Sequence, residues 1–225
     1  MSEIQNAMEV MRARHSVRQY LERPIPGDVR KALDACAAEL NAAGGLRMQI
    51  LYDEPECFNS RLAHYGSFRN VANYIVLAGK KEGDFDFRCG YYGEKLVLFA
   101  QKLGLNTCWA ALTFNKKRVR ELVPEGESLC MVIALGFGAG QGPPHRGKDA
   151  DEVTELSGPA PDWFRDGVEA ALLAPTAVNQ QKFCFSLEGE EPTVRVKGLG
   201  TCTRVDLGIA ALHFELASGR KVKAK

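Results

Sequence analysis

The feature that most constrains the fold of this chain is a C-terminal segment that reads as a helix apolar almost all round. The run "VDLGIAALHFELAS" (205–218) has very few polar positions. A helix without a polar face has to be enclosed by other elements. An earlier run, "GYYGEKLVLFAQ" (90–101), also has apolar residues at helical spacing. We expect these two helices, beginning near Gly93 and Asp206, to form the buried centre of the protein.

The rest of the chain alternates between helix-forming and strand-forming segments. A first helix is predicted by apolar residues at helical spacing, namely Ile4, Ala7, Met8 and Met11. We expect Asp28 to cap a second helix that stops at Gly44 and Gly45, and Asp162 to cap a later one. Short apolar runs predict strands within 46–52, 73–80, 128–138, 182–189 and 192–198. This order predicts an α+β fold with a mixed, mainly antiparallel sheet flanked by helices.

The stretch 136–153, rich in glycine, proline and charge, is the main break in this pattern. On both sides of it the order is the same: capped helix, loop, strand, strand and a mostly buried helix. We interpret this order as an internal duplication with halves 1–150 and 160–220, within a single unit that spans 1–225. Coincidence is the alternative, because the two halves share few identical residues.

Charge and composition narrow the function classes. Lys plus Arg exceed Asp plus Glu by one, so the net charge gives no general attraction to nucleic acid or anionic membranes. No run approaches the roughly 18 apolar residues of a membrane span, and the N-terminus lacks a signal-peptide pattern. We therefore expect a cytoplasmic protein that binds neither nucleic acid nor membrane. The seven cysteines form no C-x-x-C pair and the four histidines are scattered, which predicts mostly buried thiols and no metal site.

Two basic segments are candidate anion sites. The first groups several donors within seven residues: Arg12, Arg14, His15, Ser16 and Arg18. Guanidinium groups suit phosphate oxygens, but a solvated basic helix end is the alternative interpretation. The second segment carries Arg146 and Lys148 after a glycine-rich loop, and it is either a second phosphate clamp or an ordinary surface loop.

Other catalytic patterns are incomplete. The glycines at 136, 138, 140 and 142 do not have the G-x-G-x-x-G spacing of a dinucleotide fold, and Pro143 and Pro144 stand where its helix should begin. Cys108 lies in an apolar context without an obvious base. We therefore expect a packed thiol at Cys108 and not a nucleophile.

Four segments together resemble the nitroreductase family of FMN-dependent oxidoreductases: "RARHSVRQYLERPIP", "LGLNTCWAALTF", "ALGFG…HRGK" and "LLAPTAVNQQKF". The last is similar to the family's A-P-S-A-x-N-x-Q-P-W loop, which usually comes early in the chain and lies at a homodimer interface. Its late position here implies a chain that imitates the dimer internally, as a pseudo-dimer. Lys182 and Phe183 stand where the family usually has Pro-Trp.

The resemblance implies an FMN site assembled from these segments. The FMN phosphate, ribityl chain or ring edge would meet Arg14, His15, Ser16 and Arg18. The phosphate clamp would be completed by Arg146 and Lys148. The residues along the flavin would be Trp109, Ala110, Ala111 and Leu112. The catalytic contact would be a main-chain N–H directed at flavin N5, that of Ala111. The other half would line the flavin with Pro175, Thr176, Ala177, Asn179 and Gln181.

The function that the resemblance implies is transfer of hydride from NAD(P)H, the co-substrate, through flavin N5 to a small-molecule acceptor such as a nitroaromatic or a quinone. Two alternatives stay open. One is a non-catalytic FMN-binding protein for flavin storage or delivery, and the other is a non-flavin interaction protein whose basic helix end binds an anionic partner. The resemblance fits either a monomer with an internal pseudo-dimer or a homodimer.

Overall fold

The computed structural model describes residues 6–225. The α-helices are α1 (Ala7–Ala13), α2 (Gly27–Gly44), α3 (Arg61–Tyr65), α4 (Phe85–Lys102), α5 (Lys116–Arg120), α6 (Asp162–Leu172) and α7 (Thr203–Ser218). The strands are β1 (Arg47–Leu51), β2 (Asn73–Gly79), β3 (Asn106–Ala110), β4 (Ser128–Gly136), β5 (Thr154–Glu155), β6 (Phe183–Glu188), β7 (Glu191–Val196) and β8 (Lys223–Ala224). Ile4, predicted to lie on the first helix, is outside the described residues.

The chain divides into two compact units, and each contains a four-stranded sheet. The N-terminal unit comprises Arg14–Phe85 and Lys95–Pro144. Of the described residues, the C-terminal unit comprises 6–13, Asp86–Glu94 and His145–Lys225. The predicted α+β class and the predominance of antiparallel pairs are confirmed, although the strands form two sheets. The proposed duplication stays a prediction.

The sheet of the N-terminal unit has the strand order β1-β2-β4-β3, with every neighbouring pair antiparallel. β2 is buried at all seven positions, which explains its continuous apolar run, because a strand covered on both faces does not alternate. The segment between β1 and β2 packs Phe58 and Phe68, whose ring centroids are 4.7 Å apart, into the same core as Tyr74. β3 lies at the edge of this sheet.

In the C-terminal unit, α7 is enclosed as predicted, with ten consecutive buried residues, Val205–Phe214. Two glycines bring the backbones of α4 and α7 into contact. A Cβ added at Gly90 would lie 2.0 Å from the carbonyl oxygen of Val205, and one at Gly208 would lie 2.1 Å from that of Phe87. No helix within residues 6–225 is both long and apolar enough to cross a membrane.

The enclosed part of α7 carries one polar side chain near its C-terminal end. His213 is fully buried, with Nε2 3.0 Å from the carboxylate of Glu94 and Nδ1 3.0 Å from the carbonyl oxygen of Ala170. The next residue, Phe214, stacks on Phe185 with ring centroids 4.8 Å apart. The Glu94 carboxylate and the Ala170 carbonyl thus satisfy both imidazole nitrogens inside an apolar core, as buried polar groups require.

The predicted helix starts need three corrections. Pro26 and Pro161 are the N-cap residues of α2 and α6, and neither makes a side-chain cap bond, so Asp28 and Asp162 lie inside the first turn. Carboxylates at these positions still favour the helix dipole. α4 begins at Phe85, well before the predicted start near Gly93. The prediction followed the apolar run and missed the first turns, in which polar residues interrupt that pattern. The predicted stop of α2 is confirmed, since Gly45 takes the left-handed conformation.

Candidate functional site

In the N-terminal unit, the basic segment that follows α1 runs beside the edge strand β3. Ser16 forms a parallel bridge with Thr107, and the Val17 N–H donates to the Thr107 carbonyl at 3.0 Å. The unpaired side of an edge strand offers main-chain groups for this kind of pairing. The pairing brings Arg14, His15 and Ser16 next to the strand that leads into Trp109.

The glycine-rich loop after β4 closes over the same segment. The Gly138 N–H donates to Oδ1 of Asn106 at 3.0 Å, and His15 Nδ1 lies 2.9 Å from the Pro143 carbonyl oxygen. Gly142 has φ +74°, and a Cβ there would lie 2.8 Å from the Ser16 carbonyl oxygen. Only glycine combines this conformation with so close an approach. Gly142 therefore permits the close contact of this loop with His15 and Ser16.

The arginines of the basic segment cluster around one thiol of β3. Burial raises the pKa of Cys108, while the charges of Arg18 and Arg14 and hydrogen bonds with Arg18 and Ser16 lower it to a smaller extent. Cys108 is 2% exposed, so the prediction of a packed thiol is confirmed. Arg14 is also buried, at 3% exposure, whereas Arg18 is exposed.

The residues predicted to lie along the flavin follow directly at the end of β3. Ala110 is buried, Trp109 and Ala111 are half-buried, and Leu112 is 66% exposed. The chain leaves the paired strand at Ala111 and enters a bend, so exposure rises from the buried Ala110 to the exposed Leu112.

In the C-terminal unit, the predicted second clamp lies against the segment 175–181. The side chain of Asn179 donates to the Arg146 carbonyl at 2.8 Å. The Lys148 N–H donates to Oε1 of Gln181 at 2.7 Å, and its ammonium donates to the Gln181 carbonyl at 2.9 Å. Gln181 Nε2 donates in turn to the Leu172 carbonyl at 2.9 Å. Gln181 is 1% exposed, so its side chain holds the segment together from inside.

This segment has a strained backbone. Val178 has φ 47° and ψ 28°, and φ is 54° at Asn179 and 42° at Gln181. The left-handed region is rare for residues other than glycine and is a genuine outlier for a β-branched one. Val178 is also 95% exposed, so burial of its side chain does not explain the conformation. Strain of this kind concentrates at functional sites, where surrounding contacts impose it.

Such contacts come from Asp206, a residue outside the predicted site. Its carboxylate accepts the Ala177 N–H, at 3.0 and 3.2 Å to the two oxygens, and Nε2 of Gln180 at 2.7 Å. Asp206 is 4% exposed, and burial raises its pKa to about 6, although both hydrogen bonds lower it. A carboxylate on a helix that is otherwise apolar all round was the sequence signal for this role.

The predicted site residues thus fall into two groups. The basic-segment group, in the N-terminal unit, consists of Arg14, His15, Ser16, Arg18, Trp109, Ala110, Ala111 and Leu112. The loop group, in the C-terminal unit, consists of Arg146, Lys148, Pro175, Thr176, Ala177, Asn179 and Gln181. Within each unit, site residues from segments far apart in sequence lie next to one another, and their assignment to one FMN site stays a prediction.

Two further features of the described residues bear on the site. The N-terminal unit has an open cavity of about 490 Å³ between residues 20–24 and the segment 53–73, and none of the predicted cofactor residues lines it. Within residues 6–225, no three His, Cys, Asp or Glu side chains are grouped so that they could hold a metal ion.

Comparison with known proteins gives a consistent picture. The family described as "Putative TM nitroreductase" matches residues 6–218. A crystal structure of a "putative nitroreductase" from Thermotoga maritima has a TM-score of 0.67 at 24% identity, over 94% of this chain and 83% of that one.

Two further structures match a smaller part of the chain. An "FMN-dependent Nitroreductase" from Clostridium difficile has a TM-score of 0.50 at 20% identity, over 59% of this chain and 88% of its own. A "Putative NADH dehydrogenase/NAD(P)H nitroreductase" from Bacteroides thetaiotaomicron has a TM-score of 0.52 at 19% identity, over 65% of this chain and 95% of its own. No curated protein matches the chain.

Proposed function

Because the chain belongs to the family described as "Putative TM nitroreductase", and is thus an oxidoreductase, we propose that it is an FMN-dependent enzyme that transfers hydride from NAD(P)H to a small-molecule acceptor. The observation that carries the proposal is the pairing of the basic segment with β3. This pairing brings phosphate-binding side chains and the apolar surface at Trp109 together from segments about ninety positions apart.

The donors of the N-terminal unit fit the anionic end of FMN. Arg14 and Arg18 supply guanidinium groups, and Ser16 supplies a hydroxyl beside them. Phosphate is best held by charge-assisted hydrogen bonds from such groups. Gly142 supports the fit, because the space that a Cβ would fill lets the glycine-rich loop lie against the main chain of Ser16.

The loop group of the C-terminal unit supplies cations and a shaped surface. Arg146 is exposed and Lys148 is half-buried, and both are fixed to the segment 175–181. We assign Gln181 a positioning role, because its amide is already engaged by Lys148 and Leu172. The surface left to line the flavin comes from Pro175, Thr176, Ala177 and Asn179.

FMN, when bound, supplies the redox chemistry by accepting a hydride and passing it on. The protein's part is to bind and orient. The main-chain N–H of Ala111 is the proposed donor to flavin N5, a role that does not depend on the side chain. The half-buried Trp109 and the exposed Leu112 give an apolar surface suited to a planar aromatic ring, which also suits a nitroaromatic or quinone acceptor.

The remaining expectations belong to the same proposal. The name of the Bacteroides thetaiotaomicron neighbour includes NADH and NAD(P)H, which supports a nicotinamide donor. That neighbour and the one from Clostridium difficile match 59–65% of this chain with 88–95% of their own length. This coverage supports a chain with one protomer-like part and a shorter second part, as in an internal pseudo-dimer. We propose a cytoplasmic enzyme that acts as a monomer of this kind or as a homodimer, without nucleic-acid or membrane partners.

The test compares two exposed arginines of the basic segment. Arg18 is one of the residues that the resemblance assigns to FMN, and Arg12 is not. Arg18→Ala should weaken FMN binding about tenfold, the usual effect of losing one charge-assisted contact, whereas Arg12→Ala should leave it unchanged. Flavin fluorescence quenching measures both affinities. Equal losses in the two variants would contradict the site assignment.

Catalysis needs a separate measurement. Reduction of bound FMN by NADH or NADPH without oxygen should be followed by reoxidation with a quinone or nitroaromatic, and initial rates should give parallel lines when both substrates are varied, as expected when one product leaves first. A protein that binds FMN tightly but is not reduced by either nucleotide would be a flavin carrier.

A further inference from the structure

The carboxylate of Asp206 lies in a buried position, where an ionised group loses most of its hydration. It lies in the first turn of α7, on the only stretch of that helix that is buried at every position, and it is 4% exposed. A buried charge is retained only when hydrogen bonds compensate part of its lost hydration. The donors here are the Ala177 N–H and the Gln180 amide, both from the segment 175–181.

These two hydrogen bonds enclose the strained part of that segment. Val178 and Asn179, with φ 47° and 54°, lie between Ala177 and Gln180. Gln180 Nε2 also donates to the Thr201 carbonyl at 2.8 Å, so the same amide ties the segment to the turn before α7. An ionised carboxylate has only acceptor sites and can receive both donors at once. A protonated carboxyl would turn an O–H toward one of them.

We propose that ionised Asp206 is a positioning residue that holds residues 177–180 in the conformation that binds FMN, so that protonation of this carboxyl weakens cofactor binding. The inference rests on the proposed function. It adds a residue and a pH dependence that the resemblance did not supply. Asp206 acts through Ala177 and Gln180 and does not itself contact the cofactor.

Three basic side chains on α7 and on the neighbouring segments have partners other than Asp206, and no nearby charge is among the causes that shift the Asp206 pKa. The ammonium of Lys148 donates to the Gln181 carbonyl and that of Lys182 to the Leu199 carbonyl. On α7, Arg204 donates to the Lys225 carbonyl at 2.9 Å, and its guanidinium lies 5.9 Å from the ring centre of Phe87 on α4. Burial of Asp206 raises its pKa from 3.8 to about 6, with the Gln180 and Ala177 hydrogen bonds opposing the rise. Protonation therefore falls within a range that is accessible to titration of the native protein.

The first experiment is FMN titration of the wild type and of Asp206→Asn between pH 5 and 8. The asparagine is neutral and presents a donor to Gln180, as the protonated acid does. We expect about tenfold weaker binding by the variant at pH 7.5, the usual effect of losing a charged partner. The ratio of the two affinities should fall toward one at pH 5, where wild-type Asp206 is protonated too. Asp166→Asn, an exposed residue of α6, is the control with the same change of charge and should bind as the wild type does.

The affinity ratio is used because the FMN phosphate also titrates near this range, and its contribution cancels between the two proteins. A ratio near one at every pH would overturn the proposal. A ratio above one that does not change with pH would overturn it as well, since that result indicates a steric effect of the substitution.

The second experiment uses the protein without FMN and separates the inference from the proposed function. The protection factor for amide exchange of Ala177 should be high at pH 7.5 in the wild type, and low both at pH 5 and in Asp206→Asn. Failure of the wild type to bind FMN would overturn the proposed function and the effect on the cofactor, whereas protection of Ala177 decides separately whether Asp206 holds the loop. Equal protection in the two proteins at pH 7.5 would overturn the anchoring itself.

Discussion

The two groups of candidate site residues are held in place by different kinds of bonds. The basic segment of the N-terminal unit is fixed mainly by its main chain, through Ser16 and Val17 on Thr107. The loop at 175–181 in the C-terminal unit is fixed mainly by two buried side chains, Asp206 and Gln181. The loop also carries the strained residue Val178.

This difference predicts which substitutions should disturb the conformation of each group. Main-chain pairing does not depend on side-chain identity, so the basic segment should tolerate substitutions except where a glycine permits a close approach. A loop that depends on two buried polar side chains should lose its shape when either is changed, because the half-buried partners left behind lose their hydrogen bonds. It should also respond to pH, since one of the two is a carboxylate.

The largest expected effect comes from breaking the loop at Gln181. Gln181→Leu leaves the half-buried Lys148 N–H and Leu172 carbonyl without their partner, and the two unsatisfied groups should together cost about 4 kcal/mol of the free energy of unfolding. Urea unfolding measures it. Gln19→Leu, an exposed position on the main-chain-held side, is the control and should change stability by less than about 0.5 kcal/mol. Similar losses in both variants would remove the distinction between the groups.

The next effect concerns pH and tests the cost of the Asp206 charge. Because the pKa of Asp206 rises from 3.8 to about 6 on folding, its contribution to stability is fully present below pH 3.8 and is lost as the pH rises through 6. Asp206→Asn lacks this titration. Between pH 4 and 7 the wild type should therefore lose up to about 3 kcal/mol relative to the variant, from 1.36 kcal/mol per pKa unit. A constant stability difference over that range would show that the carboxylate is not strained by burial.

A smaller loss is expected from the one sensitive contact of the basic segment. Gly142→Ala adds a Cβ 2.8 Å from the Ser16 carbonyl oxygen at a residue with φ +74°, and should cost about 2 kcal/mol. Gly140→Ala is the matched control, because nothing lies within 4 Å of its added Cβ. Thermal unfolding of the two variants distinguishes them. If Gly140→Ala is as destabilising as Gly142→Ala, the close approach to Ser16 is not the reason for a glycine at position 142.

The smallest expected effect is a gain in stability. Val178→Asn places at φ 47° a residue that tolerates the left-handed region, and should stabilise the protein by about 1 kcal/mol. Little burial is lost, because Val178 is 95% exposed. Val178→Ala, which removes both γ-methyl groups but does not add a residue type that favours the left-handed region, should gain less. A loss of stability in Val178→Asn would mean that the valine side chain has a contact that justifies the conformation.

Much of the fold could be predicted from the sequence, because it depends on patterns that physics ties closely to structure. The enclosed helix α7 follows from an apolar run with no polar face, and β2 and β4 follow from short apolar runs with turn residues at their ends. The helix starts were less certain, since Pro26 and Pro161 occupy positions that Asp28 and Asp162 could also have taken. The division of the strands between two sheets is a long-range property without a local signal.

The site could be predicted only in part. The resemblance supplied the segments, and spacing within each segment supplied residues such as Arg14 and Lys148. It could not supply Asp206, whose role depends on the meeting of α7 with a loop some thirty positions earlier. Nor could it show that the Gln181 side chain faces the interior, because side-chain direction in a loop with left-handed residues follows no sequence period.

The most direct test of the central claim is to count flavin on the protein. The purified chain should be saturated with FMN, freed of excess cofactor, and examined by visible absorption before the flavin is released and quantified. We expect bands near about 450 and about 370 nm and about one FMN per chain. A protein that stays colourless and retains no FMN would contradict the claim that these residues form a flavin site.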